Sequence, residues 1–416
     1  MVDTSAHVCF IGGGTMGCYN SLLAALAGHR VVLYDVSEET LLRVLPTMND
    51  MASHMIAAGL QDADGVATAL ERVGTETDLA KALDGAWLVS ESVFEDIMLK
   101  RDLFAKLDRM CSPDVLLTTN SSALLVSDME DALEHGERFA ALHSHLGAML
   151  FDIVGGPRTT SDTKEKLQDY VKQLGGVALM LEKESKGYVF NAMIGPVLTA
   201  AMLLVINGVA TVPEVDRAWM KRTKSPMGPF GMIDLFGTSL IYDSWNNRPD
   251  EAAFAEMKFK ILSLLAPIVG AGRLGMKTGW GFYAYPEPVY AAPDFLDGQP
   301  DTSSADYTLT AAWTQNAVLL AANEIVSPQV VDQAWMVATR QPKGPFAILD
   351  DIGLERALIL FGISGPLAGP ENVEKLQAFL LTQLKQGKAG RDSGAGFYTY
   401  PEPAYLQAEF ISGEAI

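Results

Sequence analysis

Residues 7–35 constrain the fold of this chain more than any other stretch. An apolar run leads into Gly12-x-Gly14-x-x-Gly17, a predicted helix follows, and a second apolar run ends at Asp35. Glycines with this spacing permit a tight turn, let a pyrophosphate approach the backbone, and let the helix pack closely on the strand. The acid after the second run suits ribose hydroxyls and repels a 2′-phosphate, so the stretch predicts NAD as the cofactor. A glycine turn in an unrelated α/β protein, with the acid as a helix cap, is the alternative.

Apolar runs alternate with helical patterns over the first 185 residues. They predict strands at residues 87–90, 115–119, 138–142, 150–154 and 177–181, with a helical stretch between the first two. Such alternation is typical of a doubly wound parallel sheet that binds a nucleotide at the carboxyl ends of its strands. We therefore predict an α/β Rossmann-type NAD-binding domain over residues 1–185.

The rest of the chain reads as helices only and contains an internal repeat. Asp216-Arg-Ala-Trp219-Met220 recurs as Asp332-Gln-Ala-Trp335-Met336, and Gly228-Pro-Phe recurs as Gly344-Pro-Phe, both 116 residues later. Ordered identity of this density indicates a duplicated module. We predict two tandem all-α domains, residues 186–298 and 299–416, joined by a linker within 291–305. Because a symmetric dimer buries an apolar face against an identical partner, we expect the second copy to replace that partner in a monomeric chain.

Composition excludes several classes of partner. The chain has 31 Lys and Arg against 51 Asp and Glu, a net charge of −20, which argues against nucleic acid. The most apolar stretch is too short for a membrane span. The three cysteines show neither metal-ligand spacing nor a disulfide framework, and the first residues lack the pattern of a signal peptide. We expect a cytoplasmic protein with a small-molecule substrate.

Four polar positions lie where this architecture would gather them. Ser122, in the Asn120-Ser-Ser run, follows one predicted strand, His143 ends the next, and Asp152 lies in the strand after that. Asn191 begins the helical region. Oxidation of an alcohol needs a base, and imidazole is suited to that role near neutral pH. We predict His143 as the base, Asp152 as its carboxylate partner, and Ser122 and Asn191 as donors to the oxygen. A strand-end histidine that is merely solvated is the alternative.

Across nearly its whole length the sequence resembles the L-3-hydroxyacyl-CoA dehydrogenases. The shared motifs include the glycine fingerprint, Glu91-Ser-Val-Phe-Glu95, Arg138-Phe-Ala-Ala-Leu-His143, Gly187-Tyr-Val-Phe-Asn191 and Lys277-Thr-Gly-Trp-Gly-Phe-Tyr283. The resemblance implies NAD as cofactor, His143 as catalytic base, and contacts from Glu95 and Lys100 to the cofactor. The tandem helical modules resemble the multifunctional members that act in fatty-acid oxidation, and Tyr307 at the position matching Asn191 suggests that the second copy is structural. The predicted cofactor contacts are Gly12, Gly14, Thr15, Met16, Gly17, Asp35, Glu95, Lys100 and Asn120.

The segment after His143 departs from the family pattern. The family usually continues with two apolar or aromatic residues and then Asn-Pro, whereas Ser144-His145-Leu-Gly stands here. Asp152 takes the place of the usual glutamate after a shorter segment, so we expect its strand to move inward or a water to bridge to His143. His145 is a second candidate for the base, and we favour His143. A metal site formed by His143, His145 and Asp152 is a further alternative that the family does not require.

These observations predict an NAD-dependent dehydrogenase that interconverts an L-3-hydroxyacyl-CoA and its 3-ketoacyl form, without a metal. The shortened segment leaves open a relative that oxidises a small hydroxy acid or hydroxymethyl compound without CoA. A protein that binds NAD without turnover is the alternative from another class.

Overall fold

The computed structural model describes residues 6–248, 251, 254–297, 303–364 and 369–412. The chain divides into two compact units. The first comprises the chain up to Val189, together with Glu324–Val326 and the residues from Ala408 onward; the second comprises Phe190–Asn323 and Ser327–Gln407. The predicted boundary between residues 298 and 299 lies outside the described residues, and the three-domain division stays a prediction.

The first unit is built on an eight-stranded sheet with the strand order β3-β2-β1-β4-β5-β6-β7-β8. Neighbouring strands are parallel except for β6 and β7, which are antiparallel. The predicted doubly wound fold is confirmed. The strands are β1 His7–Ile11, β2 Val31–Tyr34, β3 Val73–Glu76, β4 Ala86–Glu91, β5 Leu116–Thr119, β6 Phe139–Ser144, β7 Leu150–Gly155 and β8 Val177–Met180.

Helices cover this sheet and supply one side of its core. Val8, Phe10 and Leu33 of β1 and β2 pack with Leu22 and Leu23 of the first helix in one buried apolar cluster. The helices of the unit are α1 Thr15–Leu26, α2 Glu38–Ala57, α3 Ala63–Leu70, α4 Leu79–Leu83, α5 Ile97–Met110, α6 Ser161–Gln173 and, at the end of the described chain, α17 Ala408–Ser412.

A buried ion pair fixes the start of β6. Arg138 donates to the Asp108 carboxylate at 2.7 Å and to the carbonyl oxygen of Val115 at 3.2 Å. Burial would raise the pKa of the Asp108 carboxyl, but the hydrogen bond from Arg138 and two backbone amides outweigh burial and lower it. The arginine that opens the Arg-Phe-Ala-Ala-Leu-His motif is therefore an anchor for the strand that carries His143.

The second unit contains the sequence repeat as a repeat of helices. Among the described residues, α8, α9 and α10 are followed by α13, α14 and α15 in the same order and at nearly the same spacing. The helices are α7 Phe190–Ile206, α8 Val212–Thr223, α9 Pro229–Phe236, α10 Thr238–Asn246, α11 Ala255–Gly270, α12 Ser303–Ala322, α13 Pro328–Thr339, α14 Pro345–Ile352, α15 Leu354–Ser364 and α16 Val373–Lys385. None of the described helices combines the length and apolar character that a membrane span requires.

A buried aspartate in each copy connects the residues of the repeated motifs. Asp332 accepts hydrogen bonds from the amides of Phe346 and Ala347, at 2.8 and 2.9 Å, and from the Tyr398 hydroxyl at 2.9 Å. Asp216 makes the same three contacts in the first copy. Burial raises the pKa of each carboxyl to about 7 in spite of these donors, which favour the charged form. The network ties the start of α9 or α14 to the aromatic turn that follows later in each copy.

The two copies pack against each other through a tryptophan cluster. The ring centroid of Trp219, from the first copy, lies 5.3 Å from that of Trp313 and 6.0 Å from that of Trp335 in the second. All three are buried. Arg222 and Asp306 add an ion pair between the copies.

The second copy also carries an ion-pair group at its surface. Asp351 bonds to Lys343 and, at 2.8 Å, to Arg391. The first copy has Leu235, Met227 and Met276 at the matching positions.

We expect Tyr398→Phe to lower the free energy of unfolding by about 1.5–3 kcal/mol, since a buried carboxylate loses a donor. The matched control is Tyr307→Phe, because Tyr307 is 61% exposed and its substitution should cost less than about 0.5 kcal/mol. Urea denaturation followed by tryptophan fluorescence reports chiefly on this unit, which holds five of the six tryptophans. Equal losses in the two variants would contradict the role assigned to the network.

Candidate active site

The glycine loop between β1 and α1 has the geometry that its spacing predicts. Gly12 has φ +105°, and a Cβ there would lie 2.7 Å from the carbonyl oxygen of Ser92. A Cβ on Gly17 would lie 1.8 Å from the carbonyl oxygen of Gly12, so only glycine lets α1 approach the loop. A Cβ on Gly14 would meet nothing within 4 Å. The loop backbone thus faces open space at the N-terminus of α1, where the amides of Thr15 and Met16 lie, and an anion fits there.

Asp35 connects this loop to the end of β2. Its carboxylate accepts hydrogen bonds from the amide of Gly13 at 2.8 Å and from the amide of Ser37 at 2.9 Å. Each oxygen has a second lone pair, so the half-buried carboxylate can also accept from a ribose hydroxyl.

Asn120 and Ser122 follow β5 at the same edge of the sheet. The side-chain oxygen of Asn120 accepts from the amide of Ser144 at 2.8 Å, which directs its NH2 group away from β6. Ser122 is exposed, and its hydroxyl makes no hydrogen bond to the part of the chain that the structure describes. Both side chains therefore keep donors available for a ligand.

A buried charge group, here called the Lys100 cluster, lies beside Asn120 at the ends of β4 and β5. It consists of Lys100, Glu91, Glu95, Thr119 and Ser121. The Lys100 ammonium is 1% exposed and binds Glu91 at 2.8 Å and Glu95 at 3.1 Å. Thr119 donates to Glu91, and Ser121 donates to Glu95. Burial would raise the pKa of the Glu95 carboxyl, but the charge of Lys100 and its hydrogen bonds outweigh burial and lower it.

His143 and Asp152 meet directly across the antiparallel strands β6 and β7. The register pairs the two residues, so their side chains stand on the same face of the sheet. Nδ1 of His143 lies 2.9 Å from Oδ2 of Asp152. The aspartate therefore reaches the imidazole directly, so of the two expected arrangements the bridging water is not needed.

His145 contacts the same carboxylate oxygen. It stands two residues after His143, and side chains two apart in an extended chain share a face. Its Nε2 lies 2.8 Å from Oδ2 of Asp152, and the two imidazole rings are 4.6 Å apart in an edge-to-face arrangement.

Residues of these types also bind metal ions, and their ligand atoms lie within 4.8 Å of one another. Both nitrogens, however, stand at hydrogen-bond distance from one oxygen, closer than the about 3.3 Å that separates two ligands around tetrahedral zinc. The arrangement is that of a hydrogen-bonded triad.

Burial and charge set the protonation of this triad. Burial lowers the pKa of His143, and the bond to Asp152 offsets that only in part, which favours the neutral imidazole. Burial alone would raise the pKa of Asp152, but the charge of His145 and hydrogen bonds from both imidazoles outweigh it and lower the pKa. A neutral imidazole held by a carboxylate is the arrangement of a general base.

Tyr188 completes the surroundings of His143, and the sequence alone gave no role to it. Its ring lies 4.9 Å from the imidazole, and its hydroxyl donates to the carbonyl oxygen of Ser121 at 2.8 Å. It has φ +49°, rare for a residue with a side chain. Its place in the Gly187-Tyr-Val-Phe-Asn191 motif was the available signal.

Asn191, the remaining predicted residue, belongs to the second unit. It is the second residue of α7 and half-buried. Its side-chain amide makes no hydrogen bond to any described residue.

The sheet carries a glycine loop and an imidazole at the carboxyl ends of its strands. This combination defines an NAD-dependent oxidoreductase that acts on a CH–OH group. Residues 7–185 match the model of the 3-hydroxyacyl-CoA dehydrogenase NAD binding domain. Residues 187–285 and 308–400 match the model of the C-terminal domain of that family. The chain therefore belongs to the 3-hydroxyacyl-CoA dehydrogenase family.

Individual relatives agree with this assignment. Human mitochondrial hydroxyacyl-coenzyme A dehydrogenase is 31% identical over 67% of this chain and 91% of its own length. A solved structure described as a diketoreductase with dual catalysis of dicarbonyl compounds is 29% identical, with a TM-score of 0.62 over 67% of this chain and 99% of its own. The fold of 3-hydroxybutyryl-CoA dehydrogenase from Escherichia coli K12 matches 92% of this chain and 99% of its own, with a TM-score of 0.73 at 22% identity.

Two glycine substitutions separate the fold of the loop from its function. We expect Gly17→Ala to lower the free energy of unfolding by at least about 2 kcal/mol and to weaken NADH binding, because the backbone of the loop must shift. Gly14→Ala should cost less than about 1 kcal/mol of stability, yet weaken NADH binding at least about tenfold, because the new methyl group occupies the open space. Thermal unfolding and fluorescence titration with NADH measure the two effects. A Gly14→Ala protein that binds NADH normally would contradict the assignment of the cradle.

Proposed function

We propose that this enzyme interconverts an L-3-hydroxyacyl-CoA and its 3-ketoacyl-CoA with NAD, and that His143 is the general base. One observation carries the proposal. Nδ1 of His143 is engaged by Asp152, while no described residue forms a hydrogen bond to Nε2. Nε2 is thus available to the substrate at the carboxyl edge of the sheet, where the glycine loop also lies.

The cofactor would be held by the groups that the fold leaves available. The amides at the start of α1, with Gly12, Gly14 and Gly17 making room, suit the pyrophosphate, and Asp35 suits the ribose. The NH2 group of Asn120 is available to the nicotinamide. NAD supplies the hydride acceptor, or the hydride in the reverse direction.

His143 moves the proton of the substrate hydroxyl. In the oxidation, the O–H proton passes to Nε2 as the C–H bond gives up its hydride and the carbonyl double bond forms. Asp152, bound to Nδ1, stabilises the imidazolium that results. Ser122 and Asn191 are proposed to donate to the oxygen while it carries negative charge.

Lys100 is proposed to act on the cofactor through Glu95. The resemblance to the family implies a contact from Lys100 itself, but its ammonium is buried and bound to two carboxylates. The Glu95 side chain is 39% exposed, and its carboxylate is bound by the buried Lys100 ammonium. Lys100 would thus fix the carboxylate that faces the ligand.

A second candidate is a dehydrogenase whose carbonyl substrate carries no CoA. The 29%-identical diketoreductase structure favours it, as does the shortened segment between His143 and Asp152. We also propose that the protein is a monomer, which the tryptophan cluster between the two copies supports. Its cytoplasmic location stays a prediction.

We expect the protein to reduce acetoacetyl-CoA with NADH. The kcat/KM for NADH should exceed that for NADPH at least about 100-fold, since Asp35 disfavours the extra phosphate. Ethyl acetoacetate, the matched dicarbonyl without CoA, should give a kcat/KM at least about 100-fold lower. The loss of nicotinamide absorbance measures each rate. Comparable values for the two dicarbonyls would favour the second candidate instead.

We expect His143→Gln to lower kcat by about 10²–10⁴-fold, because the proton has no acceptor, while the Kd for NADH stays within about threefold. His54→Gln is the control, since His54 lies on the exposed part of α2 and should leave both values unchanged. Steady-state kinetics and NADH titration measure the two quantities. A His143→Gln enzyme with normal kcat would remove this residue from the mechanism.

A further inference from the structure

One carboxylate oxygen in this molecule serves two imidazoles. Oδ2 of Asp152 lies 2.9 Å from Nδ1 of His143 and 2.8 Å from Nε2 of His145. Oδ1 of the same carboxylate is buried and has no partner among the described residues. Asp152 is fully buried, so these two bonds are what compensates its charge within the described chain.

The geometry fixes where the ring hydrogens lie. A carboxylate oxygen only accepts, so each nitrogen that faces it must carry the hydrogen. His143 is then the Nδ1–H tautomer with a lone pair on Nε2, and His145 carries its hydrogen on Nε2. The nitrogen of His143 that would take the substrate proton is therefore left in its basic form by the contact on the other side of the ring.

We propose that His145 is a positioning residue, which holds Asp152 by a second hydrogen bond and thereby keeps His143 neutral and ready to accept a proton. This inference rests on the proposed role of His143. A carboxylate that accepts one hydrogen bond attracts that donor with its full negative charge. A carboxylate that accepts two shares this attraction between two donors and stabilises a positive charge on either one less strongly. With His145 in place, Asp152 orients His143 without stabilising the imidazolium so strongly that the base is protonated before the substrate arrives.

The other groups that face His143 do not oppose its protonation. From β7 the imidazole faces Asp152, and from the segment before α7 it faces the ring of Tyr188. Burial, with nearby carboxylates, raises the pKa of Tyr188, so the phenol stays neutral. Glu95 acts on His143 through its charge alone and favours protonation, as Asp152 does. His145 is the described neighbour that opposes them.

Nitrogen-15 NMR of the histidines in the enzyme without NAD tests the inference directly, because the chain contains only six histidines. In the wild-type protein we expect His143 as the Nδ1–H tautomer and His145 with a hydrogen on Nε2. In His145→Leu, which has no donor, the titration midpoint of His143 should rise by about one pH unit. In His145→Gln, whose amide can replace Nε2–H, the midpoint should return toward the wild-type value.

The kinetic counterpart is the pH profile for oxidation of 3-hydroxybutyryl-CoA. A His143 that protonates more readily loses its basic form at higher pH, so the acid limb of kcat/KM should move upward in His145→Leu and back in His145→Gln. A residue that only supported the fold would lower activity at every pH without moving the limb.

An unchanged or lowered midpoint for His143 in His145→Leu would overturn the inference. So would an Nε2–H tautomer of His143 in the wild type, which needs no variant to fold. The titration does not depend on turnover, and its outcome is therefore separate from that of His143→Gln. A normal kcat in His143→Gln would refute the proposed function, whereas an unmoved midpoint with an inactive His143→Gln would refute only the role of His145.

Discussion

The antiparallel pairing of β6 with β7 is the constraint on which the site depends. In a sheet whose other neighbouring strands are parallel, this one reversal sets His143 opposite Asp152 in register. Side chains alternate along β6, so the strand serves two purposes. His143 and His145 bond to Asp152 on one face, while Ser144 bonds to Asn20 of α1 and to Asn120 on the other. One short strand thus couples His143, the proposed base, to α1 and Asn120, which are proposed to contact the cofactor.

Buried charges hold the surrounding elements in place. Arg138 and Asp108 fix the beginning of β6, and the Lys100 cluster joins the ends of β4 and β5. Each buried charge has partners, as it must, since an unpaired charge in such surroundings is strongly unfavourable. Loss of one partner would therefore displace the strand ends rather than merely weaken a surface contact.

The sequence predicted the features that depend on local pattern. The glycine spacing located the loop, alternation of apolar runs located β4 to β8, and the repeat located the matching helices. It missed β3, because Val73 is the only strongly apolar residue of Val-Gly-Thr-Glu at the edge of the sheet. The direction of β7 was also hidden, since a short segment between two apolar runs does not reveal how they pair. For that reason the sequence named Asp152 as the partner of His143 but left open whether the contact is direct or bridged by water, and His145 was considered as a rival base rather than as a partner.

The duplication in the second unit has a genetic consequence. In a homodimer one codon specifies two faces, so a change that suits one face is imposed on both. Here the copies are encoded separately, and each can diverge while the shared aspartate and tyrosine network preserves its helices. The positions of Leu235, Met227 and Met276 show the result, because Asp351, Lys343 and Arg391 form an ion-pair group at the matching places in the other copy. Because both copies lie in one chain, each half of the helical unit can change its surface residues independently of the other.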